Sequence, residues 1–283
     1  MKISLITVTH NSEKYLEGCI KSVISQTYKN IEHIIIDGAS DDGTVSIIER
    51  YAPNISKWVS EKDNSMYHAI NKGMKMATGD IIGVLNSDDI FASNDVIFDI
   101  VKCFTDNNVD SLYGDLVYVD PKNTYKVHRM WKGQDYKRER FKYGWMPAHP
   151  TFYFKKELLA SLGGYESHYF TAADYEFMTR YLYRNKVTSV YLPKLIIRMR
   201  NGGCSNSTIF RRWRANRRDY LAMKKNLVPF PFFASVLKPI RKLPQFYTSF
   251  MHKLFGKKKN KEVMLSRPTF VPSDNMLIRT TNV

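Results

Sequence analysis

Residues 31–44 read Ile31-Glu32-His33-Ile34-Ile35-Ile36-Asp37-Gly38-Ala39-Ser40-Asp41-Asp42-Gly43-Thr44. An apolar run of strand length stops at Asp37-Gly38. Asp41 or Asp42 then caps a helix that passes through Val45, Ile48 and Tyr51 and ends before Pro53. A strand that stops on a carboxylate and hands over to a capped helix is half of a βαβ unit, and the question is whether its neighbours repeat it.

They do. Upstream, Ile3 to Thr9 lacks the alternation of a sheet with one wet face, so it reads as a strand buried on both sides. Asn11 or Ser12 caps the next helix, in which Tyr15, Leu16, Cys19, Ile20, Val23 and Ile24 form one apolar stripe. Downstream, a helix from about Ser65 to Ala77 carries Ala69, Ile70, Gly73, Met74 and Ala77 on one face. A third apolar strand, Asp80 to Leu85, breaks at Asn86-Ser87-Asp88-Asp89, and Val96, Ile97, Ile100, Val101 and Phe104 mark another helix. This alternation predicts an α/β fold with a mainly parallel sheet covered by helices on both faces. Two short strands around Asp120-Pro121-Lys122-Asn123 make the sheet mixed. Helices are expected at about 155–162, stopped by Gly163-Gly164, and at about 173–183, with a last strand pair between Thr188 and Arg200.

Composition narrows the classes. A chain of 283 residues with 43% hydrophobic and 25% charged residues is globular, and neither fibrous nor low-complexity. Its three cysteines, Cys19, Cys103 and Cys204, have no zinc-ligand spacing and suggest no disulfide framework, which fits a reducing compartment. The N-terminal run reads as a strand rather than a signal peptide, and no stretch of about 18 apolar residues offers a spanning helix.

The net charge of +16 is unevenly placed. Residues 1–208 hold 26 Lys and Arg against 24 Asp and Glu, whereas residues 209–262 hold 15 against 2. Arg211, Arg212, Arg214, Arg217, Arg218, Lys224 and Lys225 are followed by Phe230, Phe232 and Phe233, then Lys238, Arg241, Lys242 and Lys257-Lys258-Lys259. We therefore expect a folded domain over 1–207, a basic amphipathic extension over 208–262 and a flexible tail over 263–283. A basic segment interleaved with aromatics suits an anionic membrane surface, where each basic residue contributes about 1 kcal/mol. A solvated tail and a nucleic-acid contact are the other readings.

Ligands of open parallel sheets bind beyond the carboxyl ends of the strands. Three such ends are polar: Thr7-Val8-Thr9-His10-Asn11, Asp37 to Asp42, and Asn86-Ser87-Asp88-Asp89. Each alone is explained by capping and turns; three on one rim suggest a site. No G-x-G-x-x-G follows the first strand and no P-loop occurs, so bound phosphates would need another neutraliser. A divalent cation on carboxylates is the usual one.

These residues, with Ser60 to Gly73 and Asp174 in Thr171-Ala172-Ala173-Asp174-Tyr175-Glu176, resemble family 2 of the inverting nucleotide-sugar glycosyltransferases over roughly residues 1–205. The resemblance implies a GT-A fold, a Rossmann-like sheet flanked by helices. It implies that Val8, Thr9, His10 and Asp37 hold the base and ribose and that Glu61 and Asp63 form an acidic pair beside the nucleotide. It also implies that Asn71 and Lys72 lie near the phosphates, that Asn86 hydrogen-bonds ribose or sugar, that Asp88 binds Mn²⁺ or Mg²⁺, and that Asp174 is the catalytic base, with Glu176 its nearest competitor. Asn86 stands where the D-x-D pattern has its first acid, Gly38 where many members have a second acid, and Ala173 where Glu precedes the base.

The activity implied is sugar transfer from a nucleotide-sugar donor, expected to be UDP-linked, to a lipid-linked saccharide in surface polysaccharide synthesis. The enzyme is expected in the cytoplasm, peripheral on the inner membrane face through residues 209–262. A sugar-1-phosphate nucleotidyltransferase would need a glycine-rich basic loop after the first strand, where Thr9-His10-Asn11-Ser12 stands instead. The carboxylate rim speaks against nucleic acid as a partner. His149, Gly163-Gly164-Tyr165 and the Asn201–Ser205 loop, a lid or a simple connection, complete the candidates, and Trp131 and Trp145 are taken as core.

Overall fold

A computed structural model describes residues 1–202 and 209–240 of the chain. Its strands are β1 (Ile3–Thr9), β2 (Ile31–Asp37), β3 (Lys57–Ser60), β4 (Ile81–Val84), β5 (Ile90–Phe91), β6 (Ser111–Val119), β7 (Val127–Trp131), β8 (Tyr153–Lys155) and β9 (Ser189–Arg200). Its helices are α1 (Leu16–Ile24), α2 (Thr44–Arg50), α3 (Met66–Met76), α4 (Val96–Asn107), α5 (Leu158–Leu162), α6 (Ala173–Met178), α7 (Ile209–Lys225) and α8 (Pro231–Ile240). The strands form one sheet in the order β3-β2-β1-β4-β8-β6-β9-β5, with β7 pairing on β6.

The parallel half follows the sequence reading. β2, β1 and β4 pair in parallel, Thr9 opposite Asp37 and Ile6 opposite Val84, so their carboxyl ends share one rim. Successive side chains in a strand point to opposite faces. Ile6, Val8, Ile34 and Ile36 accordingly pack with Ile70 and Met74 of α3, while Ile35 meets Leu16 and Ile20 of α1 and Ile47 and Ile48 of α2. Ile3 and Leu5 join Ile97, Ile100 and Phe104 of α4.

The helix expected at about 155–162 is α5, starting three residues later and stopped at Gly163, while the antiparallel element in mid-sheet just before it, β8, was not expected. Three residues are too few for periodicity, and their placement depends on a partner: a Cβ on Gly83 would sit 2.1 Å from Cε1 of Tyr153, so only glycine lets that ring cross the neighbouring strand. The expected strand pair at 188–200 is the single strand β9, parallel to β6 with register shifts near Asp115. β3 and β5 were not anticipated.

Beyond the composition change at residue 207, α7 and α8 pack on the front domain. Ala222, Met223, Val228 and Ala234 belong to the same buried cluster as the sheet face covered by α3. Residues 203–208 and 241–283, which include most of the Asn201–Ser205 loop, Lys257-Lys258-Lys259 and the tail, lie outside the described residues.

Candidate active site

The rim of the sheet carries the ends of β1, β2, β3, β4, β6 and β9, because β9 runs parallel to β6 and reaches the same edge, where Nη1 of Arg200 donates to the backbone carbonyl of Asp88 at 2.5 Å. Buried polar atoms in folded proteins are nearly always hydrogen-bonded. Here Oγ1 of Thr9, Oδ2 of Asp63, Oδ1 of Asp89 and Nε of Arg200 are buried with no partner among the described residues. All four sit at or just beyond strand ends of this rim. A fold does not need them unpaired; a ligand would use them.

Asp88 and Asp89 follow β4 directly. Asp89 is fully buried and accepts from Nδ2 of Asn86 at 2.9 Å. Burial, then the neighbouring Asp88 charge, pushes the Asp89 carboxyl well above the ordinary range, and burial also raises Asp88 against the pull of Arg200. No ion pair among the described residues neutralises either carboxylate. Such a pair suits a hard divalent cation that takes its remaining ligands from substrate oxygens, since no cluster of three or more ligating side chains occurs among the described residues.

Asp37 is fully buried and already satisfied: its carboxylate accepts from Ser40 N at 3.0 Å, Ser40 Oγ at 2.5 Å and Ser60 Oγ at 2.6 Å. That geometry makes Asp37 an anchor of the turn after β2. The exposed His10 and the buried Val8 and Thr9 line the edge beside it. Asn11, in the left-handed region at φ 48°, locks the two loops together by donating its N–H to Ser40 Oγ and accepting from Asp41 N.

Glu61, Asp63 and Lys72 form one ionic cluster, with Nζ of Lys72 at 2.5 Å from Glu61 and 2.9 Å from Asp63. Burial opposes the Lys72 charge, but the hydrogen bonds to Glu61 and Asp63 outweigh it and hold its pKa above the usual lysine value. His68 also reaches Asp63, at 2.7 Å. Asn71, expected near phosphates, instead uses both ends of its amide on the backbone of Tyr165, at 2.7 Å each. Gly164 permits the clamp, because a Cβ there would lie 2.3 Å from Oδ1 of Asn71.

Asp174 is the second residue of α6. Its Oδ1 accepts from Tyr175 N at 2.7 Å and its own N–H meets the Tyr67 hydroxyl. Burial raises the pKa of the Tyr118 hydroxyl on β6, and the charges of Asp89 and Asp174 push it the same way. His149 bonds the Tyr165 hydroxyl through Nε2 at 2.5 Å; burial lowers its pKa while Asp174 pulls it the other way. Glu176, the rival for a base role, is fully buried and paired with Arg180 at 2.9 Å, so it has no access to a substrate.

The reading from sequence did not single out Arg200, Tyr67, Tyr118 or Arg180. Arg200 carried a usable signal, since it closes the last strand and strand ends form the rim. Tyr118 lies within an apolar run and Tyr67 in the first turn of α3, and in neither place does anything in the sequence separate a lining hydroxyl from a core aromatic.

Comparison with known proteins gives a consistent placement. The family model "Glycosyl transferase family 2" matches residues 4–163. An uncharacterized glycosyltransferase of Mycobacterium tuberculosis (strain ATCC 25618 / H37Rv) is 33% identical over 187 residues, 63% of this chain and 68% of that one. Among solved structures, S. aureus TarS 1–349 in complex with UDP-GlcNAc matches with a TM-score of 0.60 at 18% identity, over 88% of this chain and 79% of that one. Of a longer TarS chain, the match spans 46%. The mannosyltransferase PcManGT from Pyrobaculum calidifontis, in complex with GDP-Man and Mn²⁺, matches with a TM-score of 0.61 at 20% identity, over 89% of this chain and 75% of that one.

Proposed function

The chain belongs to glycosyl transferase family 2 and has the GT-A fold, and from that premise we propose that it moves a sugar, with inversion, from a UDP-linked donor to a lipid-linked saccharide. The observation that carries the reading is the set of four unpartnered buried polar atoms, on Thr9, Asp63, Asp89 and Arg200, gathered on the rim where a nucleotide would lie.

Sugar hydroxyls are weak nucleophiles near neutral pH, so a carboxylate must take the proton as the oxygen attacks the anomeric carbon. Asp174 has that task; it is partly exposed and, unlike Glu176, has no cationic partner among the described residues. Attack on the side opposite the leaving diphosphate inverts the anomeric centre. Thr9 and His10 contact the base and ribose, and Asp37 acts through the Ser40 and Ser60 bonds that fix the turn beside them. Lys72, held by Glu61 and Asp63, walls the nucleotide rather than meeting it as a free cation. Asp88, with Asp89 and Asn86 behind it, would hold Mn²⁺ or Mg²⁺, which when bound supplies Lewis-acid stabilisation to the leaving diphosphate. Arg200 adds a permanent positive charge next to Asp88.

The lipid-linked acceptor and the membrane surface rest on the basic, aromatic 209–262 segment. Leu227, Phe230, Phe232 and Phe233 are all strongly exposed at the junction of α7 and α8. No helix among the described residues is long and apolar enough to cross a membrane.

A thermal-shift screen against UDP, GDP, dTDP and CMP, each with and without Mn²⁺, tests the donor. A ligand at about 100 times its Kd stabilises the native state by roughly 2.7 kcal/mol. We expect a metal-dependent shift with UDP that Asp88→Ala abolishes; no response to any nucleotide would return the rim to turns and caps.

A further inference from the structure

A cation-lined recess is formed by elements other than the strand ends of the donor rim. The irregular turn Ser167–Ala172 leads straight into α6, three residues separating Phe170 from Asp174, and it packs against α7. Between them is a cleft of about 480 Å³ lined by His168, Tyr169, Arg218, Leu221, Lys224 and Lys225. On α7, residues 218, 221 and 225 recur at helical spacing and share a face.

The charges there are unequal. Lys225 is compensated by Glu166 and by Glu176 at 3.5 Å, and His168 lies 3.5 Å from Glu166. Arg218 and Lys224 have no carboxylate partner among the described residues; the Arg218 guanidinium lies 4.3 Å from the ring centroid of Phe170. Phe170 is itself held at φ 48°, in the left-handed region, with its side chain exposed. Among the described residues no Asp or Glu lines the cleft, so it offers little to the hydroxyls of a neutral sugar and much to an anion. Leu221 and Tyr169 give it an apolar wall, and the exposed Leu227, Phe230, Phe232 and Phe233 continue that character along the same helical hairpin.

Resting on the glycosyltransferase reading above, we propose that the cleft between the Ser167–Ala172 turn and α7 binds the phosphate or diphosphate of a lipid-linked acceptor, with Arg218 and Lys224 as its cations. An amphiphile fits this mixture of unpaired cations and apolar wall better than a free anion does. The position sets the acceptor's reducing end on the element that leads into Asp174, so the headgroup fixes the saccharide relative to the base.

The test is calorimetric titration of the full chain with a short isoprenyl diphosphate and, separately, with inorganic diphosphate, UDP and Mg²⁺ being present at saturation. A solvent-screened cation beside an anionic headgroup contributes about 1 kcal/mol, roughly fivefold in affinity. We expect the isoprenyl diphosphate to bind alongside UDP, about fivefold more weakly to Lys224→Gln and at least tenfold more weakly to Arg218→Gln/Lys224→Gln. Inorganic diphosphate should show the same dependence at lower affinity. Displacement by UDP, or affinity unchanged in both variants, overturns the proposal. Equal affinity for the two probes overturns its lipid component. Lys224 is exposed, so its variant keeps the test independent of folding. UDP affinity measured in the same proteins reports on the donor site alone: a chain that binds the isoprenyl diphosphate as described but not UDP would keep the cleft and sink the donor reading.

Discussion

Replacing Arg180 by Met should be among the most damaging single changes outside the rim. The Arg180 side chain is nearly buried, and its guanidinium donates to Glu176 at 2.9 and 3.1 Å, to the Leu162 carbonyl, and to the carbonyls of Gly163 and Gly164 at 3.2 and 2.6 Å. Methionine fills similar volume and leaves Glu176, which is fully buried, with only Asn226 at 3.2 Å and Lys225 at 3.5 Å. Removing one partner of a buried pair costs about 3–5 kcal/mol when the remaining charge is left uncompensated; Lys225, shared with Glu166, compensates Glu176 only in part, so the lower end of that range is expected. At ~2–4 °C per kcal/mol for a domain of this size, Tm should fall by roughly 10 °C. If the orphaned charge is the cause, Glu176→Gln/Arg180→Met should recover about 2 kcal/mol, the residue of the loss being the carbonyls without a donor. Urea unfolding of the three proteins reads this out. A single variant within about 1 kcal/mol of wild type, or a double variant no more stable than the single, would refute the reasoning. The turn 162–164 also positions Tyr165, whose ring stacks on Phe177 at 4.2 Å and whose hydroxyl meets His149, so transfer activity should fall with the anchor.

Further outcomes follow from other residues. Asp174→Asn should lower the transfer rate by about 10²–10⁴ with little change in UDP affinity, the range expected for loss of a general base; steady-state kinetics with a lipid-linked acceptor checks it. His33 is buried against Thr7 Oγ1 at 3.0 Å, and burial lowers its pKa from 6.5 to about 4. Between those values the unfolded chain binds the extra proton, so stability falls as pH drops from about 6.5 to about 4, by ~3 kcal/mol in all. His33→Gln should flatten that part of a denaturation-versus-pH profile. Glutamine at Arg241, Lys242, Lys257, Lys258 and Lys259 should weaken binding to vesicles of anionic phospholipid by ~100-fold or more at low salt while leaving donor hydrolysis intact, as sedimentation with the vesicles would report.

β1, β2 and β4 were legible because each is an apolar run rich in β-branched residues that breaks at a polar cluster, and the helices between them have a stripe of period 3.6; the parallel edge strand β3, Lys57-Trp58-Val59-Ser60, has no such run. Local pattern was enough there. The antiparallel half was not, because β8 and β5 are too short for periodicity and are placed by long-range partners such as Gly83 under Tyr153. The same division runs through the site. Asp88, Asp89 and the β1 and β2 ends were visible as polar breaks after apolar runs. That Asn71 clamps Tyr165, that Asp37 is satisfied by Ser40 and Ser60, and that Glu176 is locked to Arg180 depend on contacts tens of residues apart or on a burial that no spacing encodes. Composition placed the basic segment beyond residue 207, but the buried Ala222, Met223 and Val228, scattered among its charges, make the described part of it a cover for the core as well.

The most direct test of the account is the equilibrium binding of UDP in the presence of Mn²⁺ to wild type, Asp88→Asn and Asp174→Asn, measured by calorimetry. The account predicts binding to wild type and to Asp174→Asn with similar affinity, and its loss in Asp88→Asn. Affinity unchanged in Asp88→Asn, or lost equally in Asp174→Asn, would contradict the division of the site into a donor-holding acid pair and a separate base.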